Sequence, residues 1–354
     1  MPSGSPYINF IPGPVTPPER VMKALSEPMP YHRGEEFSEL YERIMELLKP
    51  LFGGDGDVLV LTGSSTAGME AMVSGFVRRR RVAVIVDGKF GERLRDIASL
   101  YGEVVSVEAR WGTTPSIEEL ESSLSRVETL LVVHNETSTG VEHDMNAISD
   151  IAMDRGVELL VDVVSSIGGV EVKAERWGAK ALAAGVQKCI GAPPGIAPVM
   201  IMRWEGYRSA PYYLDLTRYR EAAGKMNRET PFTPALPLFR ALKEALLEVH
   251  EEGLALRYER HRRISEKLRR GLEDMGVKLF ADPGELGSYS CTVTSFIIDD
   301  PESVRRELLK RGIRVAGGQG PLRGKILRAA TMANVRERDV EALLFELENV
   351  LHST

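Results

Sequence analysis

A lysine with unusual neighbours, Lys188, is the first candidate for chemistry in this sequence. It lies among small and apolar residues in Gly185-Val186-Gln187-Lys188-Cys189-Ile190-Gly191, and Pro193-Pro194-Gly195 follows directly. A lysine ammonium normally stays in water. In apolar surroundings its pKa falls, and the neutral amine can attack an aldehyde. The stretch therefore predicts a Schiff-base lysine, and a solvated loop lysine is the alternative.

An acidic residue, Asp162, lies within the apolar run Leu159-Leu160-Val161-Asp162-Val163-Val164. A buried carboxylate is unfavourable unless a cation or a hydrogen-bond donor meets it. A nearby backbone N–H group would satisfy the carboxylate. A protonated ring nitrogen is the partner that the pattern favours.

Two further stretches follow apolar runs. Thr62-Gly63-Ser64-Ser65-Thr66 opens a helical pattern, and hydroxyl groups with free N–H groups at a helix start suit a phosphate, with an ordinary N-cap as the alternative. Phe90, in Gly88-Lys89-Phe90-Gly91-Glu92-Arg93, is either a stacking ring or a core aromatic. The sequence has neither a Walker lysine nor a Gly-x-Gly-x-x-Gly motif, which argues against an NTPase or a dinucleotide-binding protein.

A cluster of polar residues, His134-Asn135-Glu136-Thr137-Ser138-Thr139-Gly140, follows another apolar run. It is more polar than a turn requires, so we expect its hydroxyl groups to contribute to a site. A lone histidine in such a place is more often structural than catalytic, and we expect that of His134.

The elements that position these residues alternate regularly. The apolar runs are continuous, as in strands that are covered on both faces. They lie at 58–61, 82–86, 104–107, 129–134, 157–161, 181–184 and 199–202, with helical patterns at 19–25, 37–52, 66–77, 90–100, 116–124 and 145–155. This alternation predicts an α/β fold with a mostly parallel seven-stranded sheet, in which ligands bind at the carboxyl ends of the strands.

The pattern changes near residue 234. Long amphipathic helices are predicted at 236–251 and 254–275, strands at 277–280, 291–298, 313–315 and 325–330, and helices at 301–311 and 336–351. We therefore predict an N-terminal arm at 1–18, a large domain at 19–235 and a smaller C-terminal α/β domain at 236–354.

The composition limits the function classes. The net charge is −6 over 354 residues, which disfavours binding to nucleic acid or to anionic membranes. Two cysteines, Cys189 and Cys291, cannot form a disulfide framework or a zinc site. No apolar run reaches membrane-spanning length, and residues 1–6 lack the pattern of a signal peptide. We expect a cytoplasmic protein without a metal.

A phosphate cradle, a stacking aromatic, a buried carboxylate and a Schiff-base lysine are the parts that a pyridoxal 5'-phosphate enzyme requires. On these motifs, and on Gly317-Gly318-Gln319-Gly320 and Leu327-Arg328, essentially the whole chain resembles the fold-type I, class V pyridoxal phosphate aminotransferases. It is similar to the group of alanine–glyoxylate and serine–pyruvate (serine–glyoxylate) aminotransferases.

The resemblance implies a role for each matching residue. Lys188 would be catalytic and carry the cofactor, while Arg328 and Gly13 would bind the substrate, Arg328 by clamping its α-carboxylate. The cofactor-binding residues would be Ser64, Ser65, Thr66, Phe90, Thr137, Asp162, Val164, Gln187, Lys188 and Thr230. Among these, Asp162 would bond the pyridine nitrogen, and Val164 and Phe90 would pack on the two ring faces. Thr230 would reach the phosphate in the partner subunit, which implies a homodimer with shared sites.

The sequence departs from the family at three places. Some members have tryptophan in place of Phe90, some have a phosphate-binding tyrosine in place of Asn227, and many have glycine in place of Asn135.

The predicted activity is ping-pong transamination between alanine or serine and glyoxylate or pyruvate. A donor with a second acidic or phosphorylated group is an alternative, with Arg33 or Arg323 as its ligand. A cysteine desulfurase or lyase on the same fold would need Cys189 or Cys291 as a reactive thiol. A nucleotide-binding dehydrogenase or module is the alternative from a different class.

Overall fold

A computed structural model of the chain describes residues 7–208 and 210–352. Residues 1–6, on which the expectation of no signal peptide rests, lie outside the described residues. The described strands are β1 (Ile8–Asn9), β2 (Asp57–Thr62), β3 (Arg81–Val86), β4 (Glu103–Glu108), β5 (Thr129–Val133), β6 (Asn135–Glu136), β7 (Val141–His143), β8 (Glu158–Asp162), β9 (Ala181–Ala183), β10 (Ile196–Ile201), β11 (Gly287–Tyr289), β12 (Val293–Ile297), β13 (Ile313–Arg314), β14 (Ala316–Gly317) and β15 (Ile326–Ala330).

The helices fall close to the predicted segments. They are α1 (Glu19–Ala24), α2 (Glu35–Phe52), α3 (Ser65–Phe76), α4 (Lys89–Ser99), α5 (Ile117–Leu124), α6 (Met145–Asp154), α7 (Leu216–Ala223), α8 (Leu236–Glu252), α9 (Leu254–Asp274), α10 (Pro301–Lys310) and α11 (Glu337–His352). Helix α7 was not expected from the sequence. The predicted strand at 277–280 is wrong, because Leu279 forms only an isolated bridge with Phe296.

The central sheet has seven strands in the order β2-β10-β9-β8-β5-β3-β4. Strand β10 runs antiparallel to its two neighbours, and the other pairs are parallel. The α/β fold with a mostly parallel seven-stranded sheet is thus confirmed. In the register of this sheet Asp162 pairs with Val133 on one side and Ala183 on the other. The ends of β5, β8 and β9 therefore meet at one edge.

Helices cover both faces of the sheet, which explains the continuous apolar runs. On β3, Ala83 and Ile85 belong to a core with helices α2, α6 and α8. Val82 and Val84 belong to the opposite core, with helices α3, α4 and α7. Successive side chains of a strand point to opposite faces, so a strand buried on both sides needs an apolar residue at every position.

A second, smaller core forms in the C-terminal part. Helices α9, α10 and α11 pack around the antiparallel sheet β12-β15-β14. Helix α8, in contrast, places Phe239 and Leu246 in the core of the large sheet. The hydrophobic core therefore changes one helix later than the predicted division at 235/236, and the domain boundaries themselves stay a prediction.

The N-terminal segment connects the small core to the large sheet. Strand β1 pairs in parallel with β13, with Ile8 opposite Ile313, and Phe10 is buried in the small core. The chain then turns at Gly13 toward the ends of the large-sheet strands before α1 begins. No helix among the described residues is long and apolar enough to cross a membrane.

Candidate active site

A cavity of about 350 Å³ lies at the carboxyl ends of the large-sheet strands. Every residue predicted for the site except Thr230 lines it: Gly13, Ser64, Ser65, Thr66, Phe90, Thr137, Asp162, Val164, Gln187, Lys188 and Arg328. A larger cavity, of about 770 Å³, lies between residues 169–173 and α9 and contains none of them. Size alone would thus have selected a different cavity from the one that the sequence predicts.

Lys188 is buried in this cavity, with only 6% of its surface exposed. Its Nζ donates to Thr137 Oγ1 at 3.3 Å and lies 5.0 Å from the centre of the Phe90 ring. Burial lowers the pKa of Lys188 to about 8, although the negative charge of Asp162 acts in the opposite direction. About a tenth of this amine is therefore neutral at pH 7, far more than for an ordinary lysine, and the neutral form is the one that acts as a nucleophile and a base.

The N-terminal segment closes the cavity beside the lysine. Gly13 has a φ of +82°, and a Cβ at this position would lie 3.0 Å from Lys188 Cγ. The N–H group of Val15 donates to the carbonyl oxygen of Gln187 at 3.0 Å. The absence of a side chain at Gly13 is what lets the segment lie directly against the lysine.

Asp162 ends β8 inside the same cavity. Its Oδ1 accepts from the backbone N–H of Val164 at 2.8 Å. Burial raises the pKa of Asp162 to about 6, while the Val164 hydrogen bond and the charge of Lys188 lower it. A backbone donor thus satisfies part of the carboxylate, and a cationic donor within the cavity would satisfy it further.

Helix α3 begins at the cavity with an open N-terminus. Ser64 is its N-cap residue, but the Ser64 side chain makes no capping hydrogen bond. The Ser65 hydroxyl instead accepts from Gln187 Nε2 at 2.9 Å. A Cβ added at Gly185 would lie 2.6 Å from Ser65 Oγ, so the backbone approaches closely here. An uncapped helix start with three hydroxyl residues is suited to a phosphate.

The polar cluster after β5 serves mainly to hold helix α4. Glu136 Oε2 accepts from the N–H groups of Phe90 and Gly91 at 2.9 and 3.0 Å. Ser138 Oγ accepts from the Lys89 N–H at 2.9 Å. These bonds cap α4 and fix Phe90 at the cavity wall. Thr137, between the two capping residues, faces the cavity.

His134 does not line the cavity. Its ring lies edge-on to Trp177, 5.0 Å between centres, and burial lowers the pKa of His134 to about 3. It is therefore a neutral, structural histidine, as the sequence predicted.

Arg328 is a buried cation at the small-core side of the cavity. Its Nε donates to Gly317 O at 3.0 Å, and its Nη1 donates to Thr137 O at 2.9 Å. Burial lowers the pKa of Arg328 to about 10. Across residues 7–208 and 210–352, no carboxylate oxygen lies within 4.0 Å of this guanidinium. A buried guanidinium held by neutral acceptors attracts an anionic ligand.

Arg93 and Gln319 are among the cavity residues that were given no role from the sequence. The guanidinium of Arg93 lies 4.9 Å above the centre of the Phe90 ring. Its spacing of three residues from Phe90 on one helix is a signal that could have revealed it. Gln319 Oε1 accepts from Arg328 at 3.4 Å, and only the fold brings these two residues together.

The residues required by the alternative activities lie elsewhere. Cys189 is fully buried, and burial raises the pKa of its thiol to about 11. Cys291 lies at the larger cavity, and burial raises the pKa of its thiol to about 12. Such thiols stay protonated and are poor nucleophiles. Arg33 pairs with Glu229 at 2.7 Å, and neither Arg33 nor Arg323 lines the site cavity.

The cavity thus combines a partly neutral lysine, a buried carboxylate, an open helix N-terminus and an aromatic ring, which fits pyridoxal phosphate. Residues 20–343 match the aminotransferase class-V family. The chain belongs to the class V aminotransferases.

Relatives of this aminotransferase extend over nearly its whole length. An uncharacterized aminotransferase of Methanocaldococcus jannaschii is 37% identical, covering 97% of this chain and 92% of the relative. Serine–glyoxylate aminotransferase of Methylorubrum extorquens is 30% identical, covering 93% of this chain and 87% of the relative. The crystal structure of alanine–glyoxylate aminotransferase from Nostoc sp. has a TM-score of 0.91 at 32% identity, covering 99% of this chain and 96% of that one.

The family and these structural similarities confirm the predicted fold-type I architecture. They also show that the protein is a pyridoxal phosphate-dependent enzyme that catalyses transamination. Membership of this family also argues against the alternative of a nucleotide-binding dehydrogenase or module.

Proposed function

We propose that this enzyme transfers the amino group of alanine or serine to glyoxylate or pyruvate, with pyridoxal phosphate bound in the cavity of about 350 Å³. The observation that carries the proposal is the placement of Lys188, Asp162 and the open end of α3 around one cavity. When bound, the cofactor supplies an aldehyde for the lysine and a ring that accepts electrons.

The residues of the cavity would hold the cofactor at three points. The start of α3 (Ser64, Ser65 and Thr66), with Gln187 beside it, would bind the phosphate. Asp162 would accept a hydrogen bond from the protonated ring nitrogen, an ion pair that offsets the unfavourable burial of its carboxylate. Phe90 and Val164 would lie on the two faces of the ring, and Thr137 near the ring hydroxyl group.

The amine of Lys188 would act as the general base that removes the proton from the substrate Cα and later returns a proton. Its lowered pKa, about 8, keeps part of the amine free to accept a proton. Thr137 Oγ1, 3.3 Å from Nζ, would orient the amine. The segment at Gly13 would restrict access of water from the side of the lysine.

Arg328 would bind the α-carboxylate of each substrate. Its Nε and Nη1 already donate to backbone oxygens, so the guanidinium is held in one orientation before substrate arrives. A preorganised guanidinium loses little conformational freedom on binding and recognises a carboxylate bidentately.

The two arginines predicted to bind an acidic or phosphorylated donor do not line the cavity, and the cavity's Arg93 lies over the Phe90 ring. Arg33 is engaged by Glu229, and Arg33 and Arg323 lie outside the cavity. Two of the three relatives described above are named for glyoxylate, with serine and alanine as their donors. These observations favour the small-donor proposal over the acidic-donor alternative.

We also infer a cytoplasmic homodimer with shared sites. Thr230 is buried, donates to Phe232 O at 2.7 Å and does not line the cavity of its own chain. It would face the phosphate of the partner subunit. The strong exposure of Tyr212 (67%) and Met226 (97%) in the same region supports an interface there. The unpaired state of Cys189 and Cys291 suits a reducing compartment.

The test is a spectroscopic titration of the purified protein with pyridoxal phosphate, followed by borohydride reduction and peptide mapping. We expect a yellow complex and a reduced adduct on Lys188. Lys188→Ala should abolish turnover, whereas Lys173→Ala, a control at a partly exposed lysine paired with Glu171, should retain it. A panel of amino donors against glyoxylate, pyruvate and 2-oxoglutarate then measures specificity. Undiminished turnover by Lys188→Ala would overturn the assignment, and faster turnover of aspartate than of alanine and serine would overturn the donor.

A further inference from the structure

Two buried arginines and one glutamate form a cluster behind the active site, which we call the arginine clamp: Glu252, Arg257 and Arg260. Arg257 and Arg260 lie one turn apart on α9, with only 2% and 9% of their surface exposed. Glu252, the last residue of α8, accepts from Arg257 Nη1 at 2.6 Å and from Arg260 Nη2 at 2.9 Å. The two guanidinium groups hold the pKa of Glu252 at about 2, even though burial acts to raise it. One carboxylate therefore fixes both arginines.

Arg257 extends from the clamp to the loops that carry the cofactor residues. Its Nε donates to Gly168 O at 2.8 Å, in the turn that follows Asp162 and Val164. Its Nη2 donates to Cys189 O at 2.5 Å, the carbonyl group directly after Lys188. These two loops are also packed closely, since a Cβ at Gly168 would lie 3.2 Å from Ile190 Cγ1. Arg257 thus ties the lysine loop to the aspartate loop.

Arg260 extends in the other direction, to the strand that carries the substrate arginine. Its Nη1 donates to Val335 O at 3.0 Å, and its Nη2 donates to Ala333 O at 2.9 Å. Ala333 has a φ of +52°, an unfavourable conformation for a residue with a side chain. It lies just after β15, the strand of Arg328. Arg260 therefore fixes the backbone that leaves this strand.

None of the three clamp residues lines the cavity. A buried ion cluster is often no more stabilising than apolar residues of the same volume, so stability alone explains this one poorly. The clamp donates to the four backbone carbonyl groups described above. Each of them lies one to seven residues after a predicted site residue in the sequence. This distribution is what a positioning device requires.

We propose that the arginine clamp sets the position of the Lys188 loop relative to the Arg328 strand, and so aligns the cofactor with the substrate carboxylate. Arg257 positions the lysine side, Arg260 positions the arginine side, and Glu252 couples the two. The inference rests on the proposed function of Lys188 and Arg328. A displacement of about 1 Å at a reacting group can lower the rate of an enzyme by about a hundredfold.

The experiment compares Arg257→Met, Arg260→Met and Glu252→Gln in the full-length enzyme, as apoenzyme for the cofactor titration and loaded with cofactor for the kinetics. Methionine keeps much of the length of the side chain and removes the charge and the donors. The matched control is Arg262→Met on the same helix, because Arg262 is exposed and pairs with its helix neighbours Glu259 and Glu266. The measurements are the Kd of pyridoxal phosphate by absorbance, and kcat and KM for alanine with glyoxylate.

Each variant has its own expected pattern. Arg260→Met raises the KM of alanine about tenfold, the effect of about one lost charge-assisted hydrogen bond, and leaves the cofactor Kd unchanged. Arg257→Met raises the cofactor Kd about tenfold and changes the KM of alanine less. Glu252→Gln changes both constants, and Arg262→Met changes neither. Arg260→Lys, which restores a cation and a donor, should recover part of the KM.

Equal changes of the cofactor Kd and of the KM in the Arg257 and Arg260 variants would overturn the proposal. Variants that give less folded enzyme but leave both constants unchanged would also overturn it. If a methionine variant does not fold, the Arg257→Lys and Arg260→Lys pair is compared by the same two constants. The cofactor Kd needs no turnover, so failure of the clamp is distinguishable from failure of the proposed function. In the latter case the wild-type protein would itself lack transaminase activity.

Discussion

Replacement of Asp162 by asparagine should stabilise the cofactor-free protein while weakening its hold on the cofactor. The carboxylate is buried, with 3% exposure, and burial raises its pKa from 3.8 to about 6. At neutral pH it is therefore ionised in an environment that disfavours the charge. Asparagine has the same shape, and its Oδ1 still accepts the hydrogen bond from Val164 N–H.

The magnitude follows from the pKa shift. A change from 3.8 to about 6 corresponds to about 3 kcal/mol of folding free energy at pH 7. Because the folded pKa is raised, the contribution is fully favourable below about pH 4 and is lost as the pH rises through about 6. We therefore expect Asp162→Asn apoprotein to be more stable than wild type at pH 7 by up to about 3 kcal/mol. The two should differ little at pH 4.

The assay is urea unfolding of both apoproteins at pH 4 and pH 7, with pyridoxal phosphate titrations on the same samples. Loss of the ion pair to the ring nitrogen should raise the cofactor Kd at least about tenfold, the effect of about one charge-assisted hydrogen bond. An Asp162→Asn apoprotein that is less stable than wild type at pH 7 would refute the account of the buried charge. An unchanged Kd would refute the role toward the ring nitrogen.

Three further changes test other parts of the site. Arg328→Met should lower kcat/KM for alanine about a hundredfold or more, from two lost charge-assisted hydrogen bonds. Turnover of ethylamine, which has no carboxylate, should hardly change, and an equal loss for both amines would contradict the role of Arg328 toward the substrate carboxylate. The rate at which the apoenzyme binds pyridoxal phosphate should rise with pH and level off above about 8, the pKa of Lys188; a rise that continues to pH 10 would show an ordinary lysine. Gly13→Ala should raise the cofactor Kd about tenfold, since it forces a side chain into a φ of +82° against Lys188; an unchanged Kd would mean that the segment moves freely.

The sequence was sufficient to predict the large sheet and the edge of that sheet at which the cavity lies. Short continuous apolar runs that alternate with helical patterns indicate strands covered on both faces. The rule that ligands bind at strand ends then selected Lys188, Asp162 and Ser65 together. The cluster 134–140 was harder to interpret. Its polar residues suggested a site, but Glu136 and Ser138 cap helix α4 through backbone N–H groups, a use that composition cannot distinguish from catalysis.

Contacts between distant segments were beyond sequence reasoning. Strand β1 is two residues long and pairs with β13 near the other end of the chain, so its pattern is too short to predict a partner. The sequence pattern places Arg257 and Arg260 on a helix rich in charged residues and predicts that they are exposed, although the fold buries both. A charged residue on an amphipathic helix is normally exposed, and only tertiary packing reverses that expectation.

The pairing of β1 with β13 has a consequence for synthesis of the chain. Ile8 leaves the ribosome early, but its partner Ile313 is made near the end, and Arg328 follows later still. The large sheet, whose strand β10 ends at Ile201, can assemble during translation, whereas β1 must wait until β13 has been made. In a nascent chain halted before β13, Lys188 would already lie on the formed sheet. Strand β1, which precedes the segment that covers Lys188, would still be unpaired. The N-terminal side of the cavity is therefore completed only after β13 has been made.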